Sequence, residues 1–113
     1  MGRDPVKPER ILVDLGLRPY AAKALVALAA RDDGNTVELA EVSGVPRTSI
    51  YGAMEEAVRL RLAVQLPTTG VARWRTSWPM VVAGLAAMIE DRAQAETAKL
   101  SSLRATVAGA PVR

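Results

Sequence analysis

Residues 36–62 read TVELAEVSGVPRTSIYGAMEEAVRLRL, and the fold turns on them. Val37, Leu39 and Ala40 recur at helical spacing and halt at Ser43-Gly44-Val45; Ile50, Ala53, Met54 and Ala57 take the spacing up again behind Pro46-Arg47. Two short amphipathic helices joined by a tight turn, with Gly44 free to adopt a left-handed backbone, predict a helix-turn-helix. In that motif Ala40 falls at the tight contact between helices, while Val45, Ile50 and Ala53 fill the core positions. Many amphipathic helix pairs would satisfy this spacing, so the flanking segments have to decide.

On the C-terminal side the period changes. Leu62–Leu66 reads as an extended, half-buried run, Pro67-Thr68-Thr69-Gly70 as a turn, and Val71–Thr76 as an alternating strand with Trp74 on one face and Arg73 and Arg75 on the other. A two-stranded ribbon behind the second helix is a wing. A lone hairpin is marginal in water, so Trp74 is expected to anchor it on the helices. From Pro79 to about Ala108 the chain is helical again, roughly 45 Å at 1.5 Å per residue. Leu85, Met88, Ile89, Leu100, Leu103 and Val107 lie along one stripe of it, interrupted by Arg92 and Glu96. A helix this long outruns the domain before it and predicts a dimer contact, the alternative being a helix folded back on its own domain.

On the N-terminal side, PERILVDLGL from Pro8 predicts a short helix ended by Gly16. Pro19 opens a second helix that continues to Arg31. Asp32-Asp33-Gly34-Asn35 reads as a polar turn, and Thr36 as the N-cap of the next helix with Glu38 in its first turn. The expected organisation is a tail over residues 1–7, a DNA-binding domain over 8–78, a dimerisation helix over 79–108 and a tail over 109–113.

Composition narrows the chemistry. The chain has 113 residues and contains neither Cys nor His. Thiol nucleophiles, disulfides, imidazole acid–base catalysis and nearly all transition-metal sites are thereby excluded. Asp32-Asp33 and Glu55-Glu56 are adjacent pairs without the alternating spacing of a cation loop, and read as solvated surface charge. No enzyme activity, metal or cofactor is expected. The net charge is +3, and residues 43–78 carry that whole excess: Arg47, Arg59, Arg61, Arg73 and Arg75 against Glu55 and Glu56. Clustered arginine suits phosphate contact. The N-terminus lacks the apolar core of a signal peptide, and the longest apolar run, Met80–Ile89, is too short to span a bilayer, so a cytoplasmic, nucleoid-associated protein is expected.

Several of these segments resemble one known family. Leu15-Gly16-Leu17, Tyr20, Ala22-Lys23-Ala24 and Leu25, then Leu39-Ala40, then Ser43–Tyr51, and finally Arg73-Trp74-Arg75 leading to Trp78-Pro79, are similar to the TrmB-like winged-helix regulators, chiefly archaeal. The resemblance covers about Ile11 to Ile89 and implies a winged-helix homodimer that binds operator-type DNA. Two departures stand out. Arg61 occupies a position where the family usually has Gly, so the second helix is expected to end differently or run longer. Larger members add a sugar-binding effector domain, and this chain stops after the long helix, so sugar sensing is not carried over.

The residues expected at DNA follow from helix geometry. At 100° per residue, Thr48, Gly52, Glu55 and Arg59 lie opposite the core side of the second helix, with Ser49 and Glu56 on one flank and Arg47 and Tyr51 on the other. Early residues of a recognition helix reach base edges and its flanks reach phosphates. The DNA-binding set is therefore Thr36, Arg47, Thr48, Ser49, Tyr51, Gly52 and Arg59, with Thr68, Thr69, Arg73 and Arg75 in the wing. Thr48 and Ser49 can equally be plain exposed residues, Tyr51 a packing residue and Gly52 a neutral surface Gly. Glu55 can read a cytosine amino group or pair with Arg59.

The fold expected is mainly α with a small β-hairpin, a winged helix-turn-helix with a long C-terminal dimerisation helix. The function expected is transcriptional regulation by a double-stranded-DNA-binding homodimer. A chromatin-type coat with little sequence preference and a protein–protein interaction module are the alternatives.

Overall fold

A computed structural model describes residues 7–109; the two expected tails fall outside these residues, apart from Lys7 and Gly109. The elements run α1 (Pro8–Asp14), α2 (Pro19–Arg31), β1 (Asp33–Asn35), α3 (Thr36–Ser43), α4 (Arg47–Arg59), β2 (Val64–Leu66), β3 (Arg73–Arg75) and α5 (Trp78–Gly109). Pro8 and Pro19 each open a helix, where a missing N–H is no loss. Among the described residues no helix is long and apolar enough to cross a membrane.

α2 is the central post. Ala21, Ala22 and Ala24 let neighbouring helices approach closely, and Leu25 and Leu28 are wholly buried against Leu39, Ile50 and Met54. α3 and α4 cross at Gly44, whose φ of 76° is left-handed, as the turn requires.

The sheet has three strands rather than the two expected. Its order is β1-β3-β2, antiparallel throughout, with Trp74 of β3 opposite Gly34 on one side and Gln65 on the other. Asp32–Asn35 is thus not merely a turn. Asp32 ends α2 with φ 76°, and the chain then runs along β3, with Thr76 N donating to Asp32 O at 3.0 Å and Thr36 N to Ala72 O at 3.3 Å. A strand of three residues shows no periodicity of its own; its partner lies far along the chain. The third strand and the burial of Trp74, which is 1% exposed, stabilise an otherwise marginal hairpin.

The N-cap of α3 is Asn35 and not Thr36. Asn35 Oδ1 accepts from Glu38 N at 2.9 Å, and Glu38 Oε1 accepts from Asn35 N at 2.9 Å, a reciprocal capping box. Thr36 is the first helical residue.

The exit from α4 also differs from expectation. Arg61 takes φ 63°, a left-handed conformation that ordinarily falls to glycine. Arg61 N donates to Val58 O at 3.0 Å and Leu62 N to Ala57 O at 2.9 Å, which together form a Schellman cap. The same cap closes α1, where Gly16 N bonds Val13 O and Leu17 N bonds Leu12 O. One device therefore ends both helices, once with Gly and once with Arg. The left-handed backbone costs an L residue roughly 1–2 kcal/mol; here the two carbonyls it satisfies and the full burial of Leu62 outweigh that cost.

α5 divides in two. Val81 and Leu85 are buried, and Met88 packs on the same core, so Leu85 and Met88 are occupied within their own chain and are not a free dimer face. The reason is Gly84, beside which Leu62 and the Arg61 carbonyl come close enough to draw this side of the helix inward. Beyond Met88 every described residue is exposed.

Candidate nucleic-acid interface

The first turn of α4 stands open. Pro46, extended at ψ 140°, is its N-cap, and Arg47 and Thr48 are exposed at its head. Ser49 is half-buried. It lines a cleft of about 280 Å³ between α4 and the head of α2, together with Arg18, Tyr20, Ala21, Gly52, Ala53 and Glu56. A Cβ on Gly52 would meet nothing within 4 Å, so the fold itself does not require glycine there.

Tyr51 links helix to wing. Its ring lies 5.9 Å from that of Trp74 at an interplanar angle of 67°, an edge-to-face contact, while half of its surface stays exposed. The packing role and a solvent-facing hydroxyl coexist.

Glu56 is not on a solvated flank. It is 8% exposed, and its Oε2 accepts from Arg18 N at 3.0 Å, tying the head of α2 to α4. Arg18 Nε stands 3.7 Å from the other carboxylate oxygen, but its side chain is 87% exposed. Arg18 and Tyr20 border the same cleft as Ser49 and Gly52. Sequence reading passed over both; the signal available was a basic residue directly before a helix-opening proline.

The wing arginines differ from each other. Arg75 is exposed. Arg73 is half-buried, with Nη1 donating to Asp33 Oδ2 at 2.9 Å and Nη2 to Glu38 Oε1 at 3.2 Å. Glu38 in turn accepts from Arg31 Nη2 at 3.0 Å. This chain of charges fastens β3 to β1 and to the capped end of α3. Thr69 is exposed at the tip, and Thr68 Oγ1 donates to Val71 O at 3.1 Å, bracing the loop.

Two of the expected DNA-facing residues sit apart from this group. Thr36 is half-buried at the start of α3, with its N–H turned to Ala72. Arg59 lies three turns from Arg47, roughly 18 Å along α4, and borders a groove of about 450 Å³ with Arg61, Met88 and Arg92. Among the described residues no ion pair joins it to Glu55. Of the expected dimer stripe, Ile89, Leu100, Leu103 and Val107 remain exposed.

Comparison with known proteins agrees with this geometry. Residues 12–60 match the family model of the sugar-specific transcriptional regulator TrmB. No curated protein matches the chain in sequence. Among solved structures, the chain is similar to TrmBL2, an archaeal chromatin protein described as showing a novel mode of DNA binding, with a TM-score of 0.76 and 24% identity over 88% of this chain. It spans only 39% of the length of TrmBL2. It is similar also to a structure described only as a transcriptional regulator (TM-score 0.65, 18% identity, 92% of this chain and 74% of that one). A third is the MarR family regulator SPO1453 from Silicibacter pomeroyi DSS-3 (TM-score 0.53, 21% identity, 84% and 68%). Over residues 12–60, then, the chain is TrmB-like, and around that segment it has the winged-helix architecture of DNA-binding transcriptional regulators.

Proposed function

We propose that the protein is a cytoplasmic, nucleoid-associated regulator of transcription that binds double-stranded DNA as a homodimer. The observation that carries this reading is the open first turn of α4, held in a TrmB-like helix-turn-helix and fixed to a basic wing by the Tyr51–Trp74 contact. Arg47, Thr48 and Ser49 enter the major groove, and the Tyr51 hydroxyl, Arg18 and Tyr20 meet phosphates on either flank. Arg75 and Thr69 lie on the backbone or in the minor groove. Gly52 permits close approach of the helix backbone. Arg73, already neutralised by two carboxylates, positions the wing rather than binding phosphate, and Thr36 and Arg59 play no direct part.

A chromatin-type role is the second reading, favoured by the likeness to TrmBL2. The two are separated by affinity for promoter and random duplexes across a salt series. A regulator prefers one sequence by orders of magnitude; a coat protein shows little preference and a steep salt slope. Arg47→Ala and Arg75→Ala weaken binding in either case. Failure of both duplexes to bind below about 10 μM at moderate salt, weaker than ordinary non-specific affinity, would refute DNA binding and leave an interaction module.

A further inference from the structure

A glycine at position 61 would close α4 with the same Schellman cap and without the strain of a left-handed L residue. Backbone strain of this kind concentrates where a side chain has a use. The cap needs only the backbone of Arg61, and among the described residues its guanidinium is in no ion pair. That side chain borders the groove of about 450 Å³ between the exit of α4 and α5, together with Arg59 and Arg92.

The groove follows from the way α5 leaves the core. Gly84 lets the helix press on Leu62 and the Arg61 carbonyl, and beyond Met88 it stands clear of the domain. Ala87, Met88 and Ala95 supply apolar wall, and the volume is that of a small-molecule site. Its charge is one-sided. Arg59, Arg61 and Arg92 line it with a single carboxylate, Asp91, an excess of two positive charges. Among the described residues no ion pair neutralises any of the three. Arg92 is already fixed in place: Nη1 donates to Leu15 O at 3.0 Å, and only the missing Cβ of Gly16 makes room for Nη2, which would stand 2.8 Å from it. That bond uses one donor of the guanidinium fork and leaves others for an anion.

We propose that this groove binds a small phosphomonoester, its phosphate held by Arg59, Arg61 and Arg92 and its apolar body laid on Ala87 and Met88. A phosphomonoester carries a charge of about −1.5 to −2 at pH 7, which matches the excess. Its three terminal oxygens accept from several guanidinium groups, whereas a carboxylate is satisfied by one bidentate fork. The phosphates of DNA share this chemistry, but a duplex seated on the first turn of α4 lies at the other end of that helix, roughly 18 Å away. The site stands apart from the DNA-binding reading and does not depend on it.

Arg61→Gly is the variant of choice, because it keeps the cap while removing the guanidinium; circular dichroism checks its fold. Phenyl phosphate is titrated into isotope-labelled protein at constant ionic strength and followed by nuclear magnetic resonance, with benzoate as the carboxylate counterpart. The expected result is saturable shifts confined to residues 59–62 and 84–95, with tighter binding of phenyl phosphate than of benzoate. Arg61→Gly and Arg59→Ala should each raise its Kd about tenfold or more. Absence of saturation, equal affinity for benzoate, or an unchanged Kd in both variants overturns the proposal. Shifts centred on Arg47 and Arg75 overturn it too, by placing phosphate on the other face. A last arm compares wild type and Arg61→Gly on a DNA duplex across a salt series. The same slope is expected for both; a slope lower by about one in the variant assigns the groove to the DNA backbone and overturns a small-molecule occupant.

Discussion

The same substitution, Gly to Ala, is expected to have opposite signs at two helix positions of this protein. At Gly84 an added Cβ would stand 2.6 Å from Leu62 Cδ2 and 2.8 Å from the Arg61 carbonyl oxygen. The Leu62 side chain could rotate were it free, but it is wholly buried; the carbonyl belongs to the left-handed residue of the Schellman cap and cannot yield without undoing it. Overpacking of this kind costs about 1–3 kcal/mol, and a carbonyl contact lies toward the upper end. Helix propensity returns about 1 kcal/mol. Gly84→Ala should therefore destabilise by about 1–2 kcal/mol, which for a chain of this size is a fall in Tm of about 4–8 °C. At Gly52 nothing lies within 4 Å, so Gly52→Ala should keep the propensity gain alone and raise Tm by about 4 °C. Thermal unfolding followed by circular dichroism at one fixed protein concentration measures both. A neutral or stabilising Gly84→Ala would show that α5 is not held against the exit of α4 as described. If Gly52 admits close approach of DNA, its variant should also lose affinity while gaining stability.

Other substitutions probe the joints of the fold. Arg61→Gly relieves a left-handed L residue and should stabilise by about 1 kcal/mol in urea unfolding; a loss of stability would mean that the Arg side chain contributes more than its backbone costs. Glu56→Ala leaves the Arg18 N–H without its acceptor and should cost about 1–3 kcal/mol, whereas Glu56→Gln, which can still accept, should cost much less. Asn35→Ala removes the α3 cap at about 1 kcal/mol and should speed amide exchange through the first turn of that helix before it affects α4. Arg75→Ala should lower the slope of log affinity against log salt by about one while leaving Tm within error; Arg73→Ala should do the reverse, losing about 1 kcal/mol of stability with little change in slope.

The helix-turn-helix was legible because its information is local. The spacing from Val37 to Ala57, the Gly at the turn and the prolines at helix heads act within a few residues of one another. The wing could be read because β2 and β3 are neighbours in sequence and Trp74 breaks the alternation of charge. β1 could not, since three polar residues acquire an extended conformation only by pairing with a strand some forty residues on. Asn35 was within reach: Asn-Thr-Val-Glu has the spacing of a capping box, but the adjacent Thr36 is an equally good capping residue, and only the pull of β1 decides between them. Arg61 shows the limit of propensity. Its left-handed backbone is imposed by the burial of Leu62 and two carbonyls, and the sum of those tertiary terms exceeds a local cost of one or two kcal/mol. On α5, a stripe drawn at helical spacing merged two adjacent faces, one turned to the chain's own core and one left outside.

That merger bears on how charge is used across the molecule. A count of arginines gives residues 43–78 five cations, but phosphate responds only to those not already neutralised. Arg73 is spent on Asp33 and Glu38, and in exchange the wing strand is held at a fixed distance from the capped end of α3 and, through Tyr51 and Trp74, from α4. The wing can then present Arg75 at a set position instead of sweeping it through solvent. Each ordered side chain on a free wing would lose on the order of 0.5–1.5 kcal/mol on binding; a wing already bonded on both sides has lost that freedom on folding. One arginine is thus taken out of the binding surface, and the other is preorganised for it.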